Sequence, residues 1–135
     1  MKKRITTKIA NCLCGGIKIK IKDKLRNVIN CHCSQCVKTH GNFAAYTACL
    51  EKKIEFLNKK TLKWYQSSKI AKRGFCSKCG ASIFYKLIGN KNISISAGII
   101  NHPTNLKTTT NIFTKAKLDF YKLDLRLKNF KRNYR

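Results

Sequence analysis

The chain has 135 residues, 43% of them hydrophobic, and a formal charge of +25 from 30 basic and five acidic side chains. Such a size and apolar content fit one domain with a modest core and exclude a disordered tail, and no apolar run is long enough to cross a bilayer. The charge attracts polyanions without selecting among them, and the lysines are spread along the whole chain rather than gathered in one arm.

The start, Met1-Lys2-Lys3-Arg4, has the charge of a signal-peptide n-region, but Ile5 to Asn11 is no apolar h-region. The expected compartment is therefore the cytoplasm, where thiols stay reduced. Ile17, Ile19 and Ile21 alternate with Lys18, Lys20 and Lys22, a period of two that predicts a strand with one apolar face. Residues 26–31 read as a second strand. Ser34 to Thr39 reads as one short helix, with Ser34 as N-cap and Gly41 ending it. Further strands are expected over 43–50, 61–66 and 82–87, with Trp64 and Tyr65 as core and hydrogen-bonding anchors. Ile93, Ile95 and Ala97 alternate with Asn92, Ser94 and Ser96, and Gly89-Asn90 before them predicts a hairpin. Gly15-Gly16, Lys22 to Lys24 and Asn58 to Lys60 read as turns, and so does His102-Pro103. The tail fits a helix through Leu118, Tyr121 and Leu125, or a strand through Leu123, Leu125 and Leu127. The pattern is mainly β, and one domain is expected over 1–135.

Seven of the eight cysteines fall into three tight groups. Cys12 and Cys14 form C-x-C before Gly15-Gly16. Cys31, Cys33 and Cys36 form C-H-C-S-Q-C. Cys76 and Cys79 form C-S-K-C before Gly80. In reduced surroundings such groups read as metal ligands. A C-x-x-C turn aims two sulfurs at a point about 2.3 Å from each, and C-x-C on a strand puts both on one face. A redox C-x-x-C lacks its flanking βαβ pattern here. All-thiolate tetrahedral sites suit zinc and iron alike. Cys49, in the apolar run from Phe43 to Leu50, reads as core. The seven then divide as four, which close a tetrahedral site, and three, which leave one position open. Spacing alone does not say which groups share an ion. One coherent option joins the two pairs across the sequence and leaves the triplet its own metal. His32, between two triplet cysteines, points to the opposite face on a strand and reads as packing rather than ligand. His40 is a nearby acid–base candidate that reads equally as a loop residue.

The order C-L-C-G-G, then N-C-H-C-S-Q-C, then Y-Q-S-S-K-I-A-K-R-G-F-C-S-K-C-G resembles the glutathione-dependent formaldehyde-activating enzyme family, which shares its domain with the centromere protein V group. The resemblance spans about 8–121 and is most specific from Tyr65 to Gly80; Ser96 to Ile100 is similar to the glycine-containing segment that follows. It implies an Mss4-like fold of small twisted antiparallel sheets organised around two zinc ions per chain. It also implies that Cys12, Cys14, Cys76 and Cys79 hold a structural zinc, and Cys31, Cys33 and Cys36 a catalytic one. Asn111-Ile112-Phe113 departs from the family's His-Ile-Phe, and Phe120-Tyr121 from its Trp-Tyr or Trp-Phe. Residues 122–135 form an unusually basic ending.

The activity implied is that of a carbon–sulfur lyase, forming or cleaving S-hydroxymethylglutathione from glutathione and formaldehyde. Three thiolates and Zn²⁺ sum to a net −1, a poor Lewis acid but a good holder of an electron-rich fourth thiolate. Thiol activation is therefore favoured over carbonyl activation. The competing reading is a zinc-stabilised binding module for nucleic acid or another polyanion. Its best feature is the cation–aromatic interleaving of Arg126-Leu127-Lys128-Asn129-Phe130-Lys131-Arg132-Asn133-Tyr134-Arg135, although no helix-turn-helix, RRM or finger spacing accompanies it.

Overall fold

The computed structural model describes residues 7–133. The basic start, Met1 to Arg4, and the last two residues of the tail, Tyr134 and Arg135, lie outside the described residues. Eleven strands and one short helix are described, so the chain is mainly β as its alternating patterns predict. Strands β1 (Lys8–Asn11), β2 (Lys18–Ile21) and β5 (Ile54–Asn58) form a three-stranded sheet in the order β1-β2-β5. The larger sheet contains β3 (Val28–Cys31), β4 (Ala44–Leu50), β6 (Leu62–Gln66), β7 (Ala71–Cys76), β8 (Ser82–Leu87), β9 (Asn92–Ser96), β10 (Thr108–Ile112) and β11 (Lys128–Asn129). Its order is β11-β10-β3-β4-β9-β8-β7-β6. Pairing is antiparallel except where β10 runs parallel to β3 and to β11. Among the described residues no helix is long and apolar enough to cross a membrane.

The main core joins the two sheets. Ile17, Ile19 and Ile21 are fully buried and meet Ile83, Phe84, Ile93 and Ile95 from the larger sheet. Each fully buried isoleucine of this kind contributes about 1.5–3 kcal/mol of transfer free energy. Cys49 lies in this core, as its apolar surroundings predict. The β8–β9 hairpin forms at Gly89-Asn90, with Gly89 at φ +87°. The alternation in β9 stops at Ser96, because Ala97–Ile99 turns into a 3₁₀ segment.

Several details differ from expectation. The helix α1 (Ser34–His40) is capped by Cys33, whose sulfur accepts from the Cys36 N–H, and not by Ser34. A thiolate-type acceptor one residue earlier serves the same orphan donor. Gly41 ends the helix in the left-handed region as expected. Trp64 stacks on Phe84 beneath the Lys72 ammonium but is 38% exposed, and Tyr65 is 63% exposed, so neither is the core residue expected. Both lie on β6, an edge strand. The tail is neither the helix nor the strand expected through its leucines. It makes a 3₁₀ turn at Thr114–Ala116, and β11 covers only Lys128–Asn129. Its backbone docks on the preceding segment through Phe130 N–H to Asn111 O, Thr114 N–H to Phe130 O and Phe113 N–H to Arg132 O. The interleaved cations and aromatics over 128–132 are thus held against the sheet and do not form a free arm.

Candidate metal centres and the cavity between strands

Two cysteine groups converge, each with its sulfurs within 4.8 Å of one another: Cys12, Cys14, Cys76 and Cys79, and separately Cys31, Cys33 and Cys36. The first joins the turn after β1 to the turn after β7, parts of the chain 62 residues apart. Cys12 and Cys14 sit in that turn and not on a strand, so it is the turn that brings their sulfurs together. The separations Cys12–Cys14, 3.6 Å, and Cys14–Cys76, 3.5 Å, approach the edge of a zinc tetrahedron with bonds of about 2.3 Å, which is about 3.8 Å.

Both turns are built alike. Gly15 and Gly80 have positive φ, and each donates its N–H to the carbonyl of the first cysteine of its pair. Sulfur acceptors are served by backbone donors, Ile17 N–H to Cys12 Sγ and Cys79 N–H to Cys76 Sγ, both at 3.3 Å. Burial opposes ionisation of Cys76. The Cys79 N–H and the Thr61 hydroxyl outweigh it and bring the thiol down to about 5. Thr61 also ties the two turns: its N–H bonds Gly16 O, its carbonyl accepts from Ser77 N–H, and its hydroxyl lies 3.1 Å from Cys76 Sγ. A side chain at Gly16 would place its Cβ 2.3 Å from the Thr61 hydroxyl oxygen, so this close approach requires glycine. Sequence reading places Thr61 only at the start of a strand; nothing in its local pattern marks a strut between turns far apart in the chain.

The triplet is assembled locally. Cys31 ends β3, Cys33 caps α1, and Cys36 lies on the buried side of its first turn. Its sulfurs belong to a second, smaller cluster with Ala44 and Tyr46, flanked by Tyr85, Ile112 and Phe113. Contact with the thiols of Cys31 and Cys36, and the N–H groups of Cys36 and Gln35, hold the Cys33 thiol well below its ordinary range. Beside the triplet opens a cavity of about 700 Å³ whose lining includes Arg26, Tyr46, Arg73, Tyr85 and Phe113. Arg73 lies in the stretch that carries the family resemblance most specifically, though the sequence alone assigns it no site role, and its guanidinium reaches Cys36 Sγ at 3.5 Å.

His32 is fully buried and turned away from the triplet. Its Nε2 donates to Asn111 Oδ1 at 2.9 Å, and its ring packs on Phe43 and Tyr121. Asn111 in turn donates to Asn129 Oδ1, which stitches β10 to β11. The departure at Asn111 therefore lies in this packing network, and Tyr121 provides an aromatic wall behind it. His40 Nε2 is 3.2 Å from Tyr46 Oη; burial first, then the Arg73 charge, lowers its pKa.

The family model for the glutathione-dependent formaldehyde-activating enzyme matches residues 7–116. The chain belongs to that family. A curated relative is an uncharacterized lyase of Schizosaccharomyces pombe (strain 972 / ATCC 24843), 29% identical over 113 residues, which are 82% of this chain and 81% of the relative. The crystal structure of a Rhodobacter sphaeroides protein has the same fold, with TM-score 0.58 at 23% identity, over 75% of this chain and 99% of that one. Membership of the formaldehyde-activating family, with a relative named as a lyase, supports a glutathione-related or lyase role for an enzyme whose two cysteine clusters could bind metal ions. The matched segment contains all seven clustered cysteines and Arg73, and stops before β11.

Proposed function

We propose that the protein is a zinc-dependent carbon–sulfur lyase-like enzyme that forms or cleaves S-hydroxymethylglutathione. The observation that carries this reading is the three-sulfur group at the edge of the cavity. Among the described residues no fourth His, Cys, Asp or Glu joins it, and His32, whose Nε2 donates to Asn111, lies outside the group. In this reading Cys12, Cys14, Cys76 and Cys79 hold a closed structural zinc, and Cys31, Cys33 and Cys36 hold a second zinc with one position left open. When bound there, zinc lowers the pKa of an incoming thiol and keeps it as a thiolate. The glutathione sulfur bonds to the formaldehyde carbon, the carbonyl π pair moves to oxygen, and the proton lost by the thiol ends on that oxygen. Cleavage is the reverse.

The cavity wall suits a thiol that carries carboxylates. Arg26 donates to the Tyr46 carbonyl at 3.1 Å, and Tyr46 pairs with Ile29 while Ala44 pairs with Cys31. Two residues of antiparallel strand, roughly 7 Å of backbone, separate those pairs, and Arg26 lines the same cavity as Cys31. A cysteine sulfur and the carboxylate of a following glycine are spaced by roughly 7 Å in an extended peptide. In this reading Arg26 supports the glycine carboxylate of glutathione from the cavity wall. Residues 1–135 are read as one domain with the basic ending docked on it, working in the cytoplasm, where its thiols stay reduced.

The test is glutathione binding to the zinc-loaded protein by calorimetry, with S-hydroxymethylglutathione followed by NMR in the presence of formaldehyde. Glutathione should bind at millimolar concentration or below, and its rate of exchange with formaldehyde should rise above the uncatalysed rate. Arg26→Ala should weaken glutathione about 2- to 5-fold, the range of an exposed charge pair, and leave 2-mercaptoethanol unchanged. Absence of binding at millimolar glutathione would remove the basis for the assignment.

A further inference from the structure

We propose that Arg73 is the positioning residue that adapts the three-cysteine site to an anionic fourth ligand, by holding the Cys36 sulfur and offsetting the charge that such a ligand adds. The inference rests on the proposed thiol-binding role of the triplet and extends it to a residue outside the donor set.

Arg73 lies in β7 and is only 7% exposed. Its guanidinium donates to Cys36 Sγ at 3.5 Å, to Tyr46 Oη at 3.0 Å, to Thr39 Oγ1 at 3.5 Å, and twice to Gln35 Oε1 at 3.4 Å. Its plane lies over the Tyr85 ring, 5.0 Å from the centroid. None of the ion pairs among the described residues includes it. A guanidinium does not discharge itself by losing a proton, and a buried cation without an anion is strongly disfavoured. The hydroxyls and the amide are neutral. The counter-charge that makes this burial tolerable is therefore the sulfur cluster, and Arg73 contacts it at Cys36.

Charge bookkeeping then gives Arg73 a role beyond packing. Three thiolates around a divalent ion carry −1, and Arg73 brings the neighbourhood to zero. A fourth thiolate takes it to −1 with Arg73 and to −2 without it. The difference falls on anionic ligands alone; a neutral donor at the same position leaves the charge unchanged. Gln35, from α1, and Tyr46, from β4, hold the guanidinium from two sides, so its position does not depend on the ligand being present.

The experiment uses full-length protein loaded with cobalt(II), whose absorption spectrum reports the ligand at the open position, and compares wild type with Arg73→Met and Arg73→Lys. Azide, imidazole and glutathione are titrated in turn, after two metals per chain have been verified for each protein. For Arg73→Met, azide and glutathione affinities should fall about 10- to 100-fold, the scale of a hydrogen bond to a charged group, with imidazole within about 3-fold of wild type. Arg73→Lys should recover most of the azide affinity. Should the methionine variant not hold two metals, Arg73→Gln replaces it, with the same expectation. Equal losses for azide and imidazole, or unchanged azide affinity, would overturn the inference and leave Arg73 a packing residue. Wild-type protein that takes azide and not glutathione would instead sink the glutathione assignment, while the azide-to-imidazole comparison still decides Arg73. A spectrum that responds to none of the three overturns both.

Discussion

Replacing one cysteine in each cluster should have opposite consequences for folding and for the open site. Cys76→Ser breaks a crosslink that joins segments 62 residues apart. By chain entropy a crosslink closing a loop of that length is worth about 4 kcal/mol. Cys76 is fully buried in the main core beside Ile17, Ile83 and Phe84, so its loss also loosens that core. The triplet closes a loop of about 5 residues, worth about 2 kcal/mol on the same scale, and lies in the smaller cluster. Against a total stability of about 5–15 kcal/mol, the first loss removes a large share and the second a smaller one. With an unfolding entropy near 2.1 cal/mol/K per residue, these correspond to drops in Tm on the order of 14 °C and 7 °C. The assay is zinc content by atomic emission together with thermal unfolding at fixed free zinc. Cys33→Ser should retain one zinc and a folded far-UV spectrum; Cys76→Ser should lose zinc and unfold at a Tm on the order of 14 °C below wild type, about twice the drop of Cys33→Ser. A Cys33→Ser variant that keeps two zincs, or is destabilised as much as Cys76→Ser, would refute the division into a closed and an open site.

Two further outcomes follow from burial. Burial pushes the Cys49 thiol up to about 12, so in the native, zinc-loaded protein it should not react with iodoacetamide at pH 7.5, and mass mapping should find it unlabelled after mild chelation has exposed triplet cysteines. Labelling of Cys49 before the triplet would contradict its placement in the core. His40, whose folded pKa is lowered by burial and by the Arg73 charge, should titrate below the ordinary 6.5 in ring-proton NMR. Because the unfolded chain then binds the extra proton, His40 makes folding less favourable as pH falls below about 6.5, and His40→Gln should reduce that part of the acid slope. A His40 pKa at or above 6.5 would mean that the Tyr46 and Arg73 neighbourhood has been misjudged.

Much of the site was legible in the chain. The capacity to bind metal was legible in three cysteine groups of a short sequence, since few other roles need thiols in pairs at one- and two-residue spacings. The strands carried by Ile17, Ile19 and Ile21, and by Ile93 and Ile95, were legible because a period of two survives whatever the sheet order. Strands β1, β5, β7 and β10 were not among the strands expected. β7 includes Arg73 and Gly74, and β10 is a run of threonines with one asparagine, so neither shows clean alternation. Cys33 capping α1 was hidden for a different reason: a thiol is not among the usual cap residues, and its position follows from the triplet.

Local pattern by itself determined the seven clustered cysteines as a set, the mainly β character, the hairpin at Gly89-Asn90 and the burial of Cys49. These depend on contacts between residues near in sequence, or on residue chemistry alone. Only the tertiary structure decided which cysteines meet, that Thr61 braces the four-cysteine cluster, that Arg73 from β7 faces Cys36 from α1, and that Lys128–Asn129 pairs along β10. Each of these joins chain segments tens of residues apart, and sequence spacing carries no information on a distance that is set by how the sheets are ordered.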